Sequence, residues 1–412
     1  MRTLVDTAKD DTITAPMKAV AMAEGIDPEI LCRRIAEGSV VVMQRKNRRL
    51  GIGKGLTTKI NVNLGTSSGK ANLSDEIQKA RIAEGFGADT ISDLSMGGDI
   101  GAIRTEIFSS TTLPITTVPV YQAVVEHGLK KLTADDIIAT LKIQAEEGIS
   151  SVVVHCADRK MLGAFRKNRR VLGMVSKGGS ITSAFMLLND CENPYVEHFS
   201  KVLSICREHD IVLSLGNTAR SGCIHDPRDP FQVAEVRQNI TLARRALDAG
   251  VQVIIEGAGG HIRSDRIPQQ VRYYKKRSPF PLFVAGPLPT DIGIGYDHIA
   301  GACGGSAASA AGADYLCYIT PAEHLGLPGP EAVKEGLIAF RIAAHIGDTV
   351  KYGLGSRDLA VARLRAGLDR EGQIQYAMDP ARARELSDGK EECTMCGTFC
   401  AIKVMRDFLQ RD

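Results

Sequence analysis

From Thr57 onward, short β-branched runs alternate with amphipathic helical stretches, and this alternation constrains the fold more than any other feature of the chain. Strands separated by helices demand a parallel sheet with crossover connections. The runs are KINVNLG (59–65), DTISDLS (89–95), ITTVPVY (115–121), SVVVHC (151–156), LGMVS (172–176), IVLSLG (211–216), VQVIIEG (251–257), PLFVAG (281–286) and DYLCYIT (314–320). Stretches such as DEIQKARIAEGFGA, ADDIIATLKIQAEEG and FQVAEVRQNITLARRALDAG lie between them. A (β/α)₈ barrel needs eight strands. LGMVS is short and runs into the flexible SKGGS, so it reads as a strap over the barrel mouth. An open doubly wound sheet is the alternative, with its ligand at a switch point. Polar residues at the C-terminal ends of many runs favour an α/β fold of the TIM-barrel type, because barrel active sites lie on that rim.

The barrel is flanked on both sides. Residues 1–51 are helical in pattern, and DPEILCRRIAEG (27–38) carries an Asp-Pro start and a Gly stop. This predicts an N-terminal helical subdomain over residues 1–55 and a barrel with the substrate and metal site over 56–350. Beyond Gly353 the chain becomes charged helices, RDLAVARLRAGL and DPARARELSDG, which predicts a C-terminal helical tail over 351–412. With 412 residues the chain can bury a large core.

The tail carries Cys393, Cys396 and Cys400 in the run ECTMCGTFCAIK. Three thiolates at CxxCxxxC spacing can hold three irons of a [4Fe–4S] cluster and leave the fourth open to a substrate or to S-adenosylmethionine. A structural zinc knuckle needs four ligands, and no Cys or His follows Cys400, so zinc would have to borrow a distant one. The remaining cysteines, Cys32, Cys156, Cys191, Cys206, Cys223, Cys303 and Cys317, show no pairing logic. With no apolar leader after Met1, the expected compartment is reducing cytoplasm. A formal net charge of +3 with both signs interspersed gives no reason for a nucleic-acid partner. No run reaches the roughly 20 apolar residues of a membrane helix. The 41 glycines and the absence of Trp suit tight turns around a bound ligand.

As strand ends, Asn63, Asp93, Tyr121, His155, Glu256 and His261 would converge on one rim as a polar basin. His261 follows the flexible EGAGG, and His324 in PAEHLGLP follows the last strand. Two neutral imidazoles on neighbouring loops suit zinc or another divalent metal, although a lone His is more often structural. SKGGS (176–180) and Arg220 in GNTARSG offer small residues, backbone N–H groups and a cation for a phosphate. A GxxxxGK[ST] loop and a GxGxxG fingerprint after the first strand are both missing.

Several longer segments carry a family likeness. GPLPTDIGIGYDHI (286–299), CYITPAEHLGLP (317–328), TVPVYQA (117–123), NVNLGTSS (61–68), MVSKGGSI and ECTMCGTFCAIK resemble the thiamin pyrimidine synthase (phosphomethylpyrimidine synthase) family of radical S-adenosylmethionine enzymes. The resemblance implies a (β/α)₈ barrel acting on 5-aminoimidazole ribotide, with an external electron donor and a 5′-deoxyadenosyl radical. It implies Cys393, Cys396 and Cys400 as cluster ligands and His261 and His324 as ligands of Zn2+ or another divalent ion. It also implies substrate contacts at Asn63, Tyr121, His155, Ser176, Lys177, Gly178, Asn217, Arg220 and Glu256, with Glu256 among the catalytic groups. A domain-swapped homodimer, the tail of one subunit closing its partner's barrel, belongs to the same implication.

Some positions depart from the thiamin members. Their SRG reads Ser176-Lys177-Gly178, and their DGLRPG reads NTARSG from Asn217, which removes an aspartate from the substrate contacts. Their MDLSTG becomes SDLSMG, their EGPGH becomes EGAGGH, and FYTLGPL becomes LFVAGPL, with Phe283 in place of a tyrosine. Three residues rather than four separate the second and third tail cysteines. Losing a carboxylate and a phenol changes the acid, base and hydrogen-bond capacity around a substrate. The expected product is therefore that of the 5-hydroxybenzimidazole synthase branch, which serves cobamide lower-ligand synthesis. The alternative is the phosphomethylpyrimidine of thiamin synthesis, made from the same substrate. Two further classes remain in view: a zinc-dependent barrel lyase or hydrolase active in air, and a catalytically dead nucleotide sensor.

Overall fold

The computed structural model describes residues 2–165, 170–226, 228–387 and 393–409. The chain divides into two compact units, residues 1–348 and 349–412.

In the first unit a hairpin precedes the barrel. Strand β1 (Val40–Arg45) pairs antiparallel with β2 (Arg48–Gly53) across the two-residue turn Lys46-Asn47, where Lys46 adopts φ 46°. The helical reading of this stretch missed the hairpin. It follows the helices Leu4–Lys9, Ala15–Glu24 and Pro28–Ala36, the last begun by Asp27, whose side chain accepts from the Glu29 N–H. Alternation along β1 sorts its two faces. Val40 and Val42 pack on those helices, while Val41 and Met43 pack with Val212, Ile254, Phe283, Tyr315 and Cys317 inside the barrel. Gln252 clamps the hairpin through both its amide atoms, accepting from the Val42 N–H at 2.6 Å and donating to the Val42 carbonyl at 3.2 Å. The hairpin thus seals the end of the barrel at which the strands begin.

Eight parallel strands then close: β3 (Lys59–Leu64), β4 (Thr90–Asp93), β5 (Ile115–Thr117), β6 (Ser151–Val154), β7 (Val212–Leu215), β8 (Val253–Glu256), β9 (Leu282–Ala285) and β10 (Tyr315–Cys317), with β10 joining β3. The TIM-barrel expectation therefore holds. LGMVS is not a strand. It crosses the loop after β7, with the Val171 and Leu172 N–H groups donating to Asp226 at 2.7 and 3.1 Å.

Side chains alternate along the strands, mostly apolar toward the helices, while the lumen mixes polar groups with the apolar cluster under the hairpin. Asn61 Oδ1 accepts from Thr90 Oγ1 and Ser92 Oγ, both at 2.9 Å, and its Nδ2 donates to Asn63 Oδ1 at 2.8 Å. Ile60, Val62 and Leu64 turn outward into the main apolar core. Two rim assignments change on the same grounds. Asp93 lies on the outward register of β4 and accepts from Ser95 Oγ and N, so it fastens its own turn rather than lining the basin. Tyr121 is not a strand end. Strand β5 stops at Thr117, Val118 is extended before Pro119, and the helix Pro119–His127 carries Tyr121 in its first turn.

The second unit continues the helix Pro330–Tyr352 into Ser356–Ala366, Arg370–Tyr376 and Pro380–Leu386, followed by the cysteine run and the helix Ala401–Leu409. A helical tail is present as expected. Among the described residues, no helix is long and apolar enough to cross a membrane.

Candidate active site

The barrel mouth brings most of the expected residues together. Ser176 caps the helix Lys177–Asn189, its Oγ accepting from the Gly179 N–H at 3.2 Å, and this aims the first turn of the helix at the mouth. The close approach there requires glycine. A Cβ on Gly178 would lie 2.5 Å from His155 Cε1, and one on Gly179 would lie 2.5 Å from a methyl of Thr218. His155 is buried. Burial, followed by the nearby Arg220 charge, pushes its pKa down to about 3, so the imidazole stays neutral, and Nδ1 has no hydrogen-bond partner. Tyr121 lies under Lys177, whose Nζ is 5.4 Å from the ring centroid. Burial raises the phenol to about 12, against the pull of Arg220.

Glu256, on the inward register at the end of β8, accepts from Ser214 Oγ at 2.9 Å. Burial raises its pKa, opposed by that hydrogen bond and by Arg220. Asn217 is buried beside it, and Arg220 donates back to the Asn217 carbonyl at 3.4 Å. Asn63 reaches the same basin through Cys317, donating to its Sγ at 3.0 Å. Burial lifts the Cys317 thiol to about 12. The basin thus mixes two cations, Lys177 and Arg220, with carboxyl groups that burial biases toward their neutral forms.

Sequence reasoning missed the groups that hold this basin in place. Glu235, buried on the helix Pro230–Asp248, accepts from the Thr218 and Ala219 N–H groups at 2.6 and 2.9 Å and fixes the loop that bears Arg220. Burial raises its carboxyl to about 7, against those two backbone donors. Arg170 pairs with Asp229 at 2.6 Å and donates to the carbonyls of Ala219 and Arg220 from behind the same loop. Glu323, next to His324, is raised by burial against the pull of that histidine. Only its adjacency to His324 in PAEH could have flagged it.

His261 and His324 meet as expected. Their Nε2 atoms are 3.3 Å apart and their ring centroids 5.0 Å. The His261 main chain is fixed between Ser221 and Leu288, and His324 sits at φ 63° in the loop after β10. Two imidazoles each about 2.0–2.1 Å from a tetrahedral ion place their nitrogens roughly 3.3 Å apart, so the pair fits a divalent metal. Among the described residues, no three His, Cys, Asp or Glu side chains converge as a metal-binding group. The two imidazoles are therefore the groups here that would hold such an ion. His261 also lines a cavity of about 660 Å³ with Arg228, Arg263 and Arg266.

In the tail, successive tight turns place the three cysteines on one short loop. The Gly397 N–H donates to the Cys393 carbonyl, the Phe399 N–H to that of Cys396, and the Cys400 N–H to that of Gly397. Cys393 and Cys396 are exposed and Cys400 is half-buried at the start of the last helix. Soft donors, loop spacing and accessibility all fit an iron–sulfur cluster.

A closed barrel with a polar mouth, a pair of facing imidazoles and a three-thiol loop define a barrel enzyme equipped for cluster chemistry. The chain matches the family model described as the Radical SAM ThiC family over residues 3–407, and it belongs to that family. It is 46% identical to the phosphomethylpyrimidine synthase of Dehalococcoides mccartyi, over 98% of this chain and 97% of that one. It is 43% identical to phosphomethylpyrimidine synthase 1 of Methanothermobacter thermautotrophicus, over 99% and 98%, and 41% identical to the Ignicoccus hospitalis enzyme, over 98% and 96%. The protein is therefore a radical S-adenosylmethionine enzyme, and the family implies a [4Fe–4S] cluster and S-adenosylmethionine.

Proposed function

We propose that this enzyme rearranges 5-aminoimidazole ribotide to the phosphorylated pyrimidine of thiamin synthesis, with the two-histidine site holding zinc or another divalent ion. The relatives at 41–46% identity bear the phosphomethylpyrimidine synthase name, which supports this product over the expected 5-hydroxybenzimidazole. Cys393, Cys396 and Cys400 would hold the cluster, which supplies the electron that cleaves S-adenosylmethionine.

The barrel residues do the binding and proton handling. The amides at the start of the helix Lys177–Asn189, with Lys177 and Arg220, suit a phosphate monoester. Neutral His155 and Asn217 can hydrogen-bond an imidazole ring or a ribose hydroxyl without adding charge. Glu256, buried and biased toward its neutral form, can hold or release a proton at Oε2 while Oε1 is kept in place by Ser214. The observation that carries this reading is the basin itself: anion donors, neutral polar groups and a buried carboxyl around one barrel mouth.

One feature favours the benzimidazole product as a second reading. Lys177, Asn217 and Phe283 replace an arginine, an aspartate and a tyrosine, and Phe283 lies in register with Glu256. An anaerobic assay with reductant, S-adenosylmethionine and 5-aminoimidazole ribotide, read by mass spectrometry, separates the two. Hydroxybenzimidazole without the pyrimidine phosphate would overturn the proposal.

A further inference from the structure

Both imidazoles of the facing pair turn their Nδ1 atoms toward carboxylates, and both carboxylates come from one stretch of chain, residues 291–297, which runs from the loop after β9 into the first residue of the helix Asp297–Ala310. Asp291 Oδ1 is 2.6 Å from His261 Nδ1, and Asp291 is itself anchored by the Ile224 N–H at 3.0 Å. Asp297 Oδ2 is 3.7 Å from His324 Nδ1. That oxygen is buried without a hydrogen-bond partner, on a side chain only 2% exposed. An orphaned carboxylate oxygen is costly to bury, and the polar group it faces is an imidazole N–H waiting to be oriented.

We propose that Asp291 and Asp297 are the positioning residues of the divalent site: each accepts a hydrogen bond from the Nδ1–H of one histidine, so that both Nε2 lone pairs face the space between the rings. This rests on the metal reading of His261 and His324 given above. A carboxylate behind each ligand fixes its tautomer and raises its basicity. The two halves are unequally prepared. The His261 side chain is 13% exposed and already bonded to Asp291, whereas that of His324 is 46% exposed and 3.7 Å short of its partner. His261 is therefore the better prepared of the two ligands, and His324 would have to close the remaining distance to Asp297 to be held in the same way. Placing both carboxylates on one segment couples the two ligands mechanically, so a displacement of this loop disturbs both tautomers together.

The test uses the full chain with Cys393, Cys396 and Cys400 changed to alanine, so that the tail thiols do not compete for the probe. Zn2+ affinity is measured by competition with a chromophoric chelator, and the ligand field by the visible bands of bound Co2+. Asp291→Ala and Asp297→Ala should each weaken Zn2+ by about 10–100-fold. Asp297→Asn, which keeps the shape and an acceptor oxygen but loses the charge, should fall between wild type and alanine and should shift the Co2+ bands. Thermal melts confirm that each variant is folded. If His261→Ala abolishes binding while both alanine variants and Asp297→Asn bind like wild type, the positioning role is wrong and the metal site stands. If His261→Ala leaves affinity unchanged, the metal reading falls and this inference falls with it.

Discussion

In the barrel, several groups that build the mouth are held by neighbours within the fold: Glu256 by Ser214, Ser176 by its own helix, the Arg220 loop by Glu235 and Arg170. In the tail, the side chains that matter lie at the surface, Cys393 and Cys396 exposed and Cys400 half-buried. Met395 and Phe399, inside the cysteine loop, are 88% and 86% exposed, and of the tail residues only Ile374 is a buried hydrophobic among those described. The contrast separates two ways of building a site. The barrel holds its geometry by packing and hydrogen bonds, so its substitutions should change binding and proton affinity by graded amounts. The tail loop depends on what its thiols bind, since metal binding and local folding are one equilibrium there, so its substitutions should act all or none.

The largest expected effect follows from that difference. Cys396→Ala should reduce 5′-deoxyadenosine formation under anaerobic reducing conditions to background, while the thermal unfolding of the chain shifts by less than about 1 kcal/mol, as for other exposed positions. Wild-type cleavage of S-adenosylmethionine by the variant would remove the distinction between the two regions. Next comes Arg220→Met in the barrel, which should raise the KM for the ribotide about 10–100-fold, the scale of a lost charge-assisted hydrogen bond, and leave S-adenosylmethionine cleavage in place. An unchanged KM would move the phosphate away from this mouth.

A third effect is smaller and depends on pH. The carboxyl of Glu235 sits at about 7 in the folded chain against an ordinary value of 4.5, so the folded state binds the extra proton between those limits. Stability contributed by this group therefore falls as pH rises through that window, and the penalty is complete above about 7. Glu235→Gln should show a flatter profile, gaining on wild type by on the order of 2–3 kcal/mol at most between pH 5 and 8. Parallel melting curves for the two proteins over that range would show that the buried carboxyl stays ionised on its two backbone donors.

The eight barrel strands were legible because each is a β-branched run bounded by turn residues, and the barrel needs little more to be recognised. The hairpin was not, since VVVMQRKNRRLGIG follows three helices and its strands pair only once the barrel exists to cover Val41 and Met43. Asp93 and Tyr121 were misplaced for different reasons. The end of a strand does not reveal which face its last residue takes, and the Val118-Pro119 step ends β5 at Thr117, four residues before the extended pattern suggests. His261 and His324 were legible through their motifs, being too far apart in sequence for spacing to join them. Asp291 and Asp297 carry no periodic signal at all. Glu235 reads as an ordinary polar position of an amphipathic helix, and only the fold turns it inward to meet the Thr218 and Ala219 amides.

The smallest expected effect bears on what the barrel makes. Phe283 stacks on Tyr315 with ring centroids 4.0 Å apart, on the inward register of β9 and opposite Glu256 on β8. Phe283→Tyr adds a phenol at this position. The ring keeps its stacking, so the cost in stability should stay within about 1 kcal/mol. The added hydroxyl lies among groups that already have partners, Tyr315 Oη being bonded to Thr90 and to Asn61. If the product is already the pyrimidine phosphate, the substitution should alter turnover by no more than about tenfold and leave the product unchanged by mass spectrometry. A switch from hydroxybenzimidazole to the pyrimidine phosphate on this one change would show that a single phenol in the lumen decides the outcome. The tail would then be common to both reactions, and product choice would belong to the barrel alone.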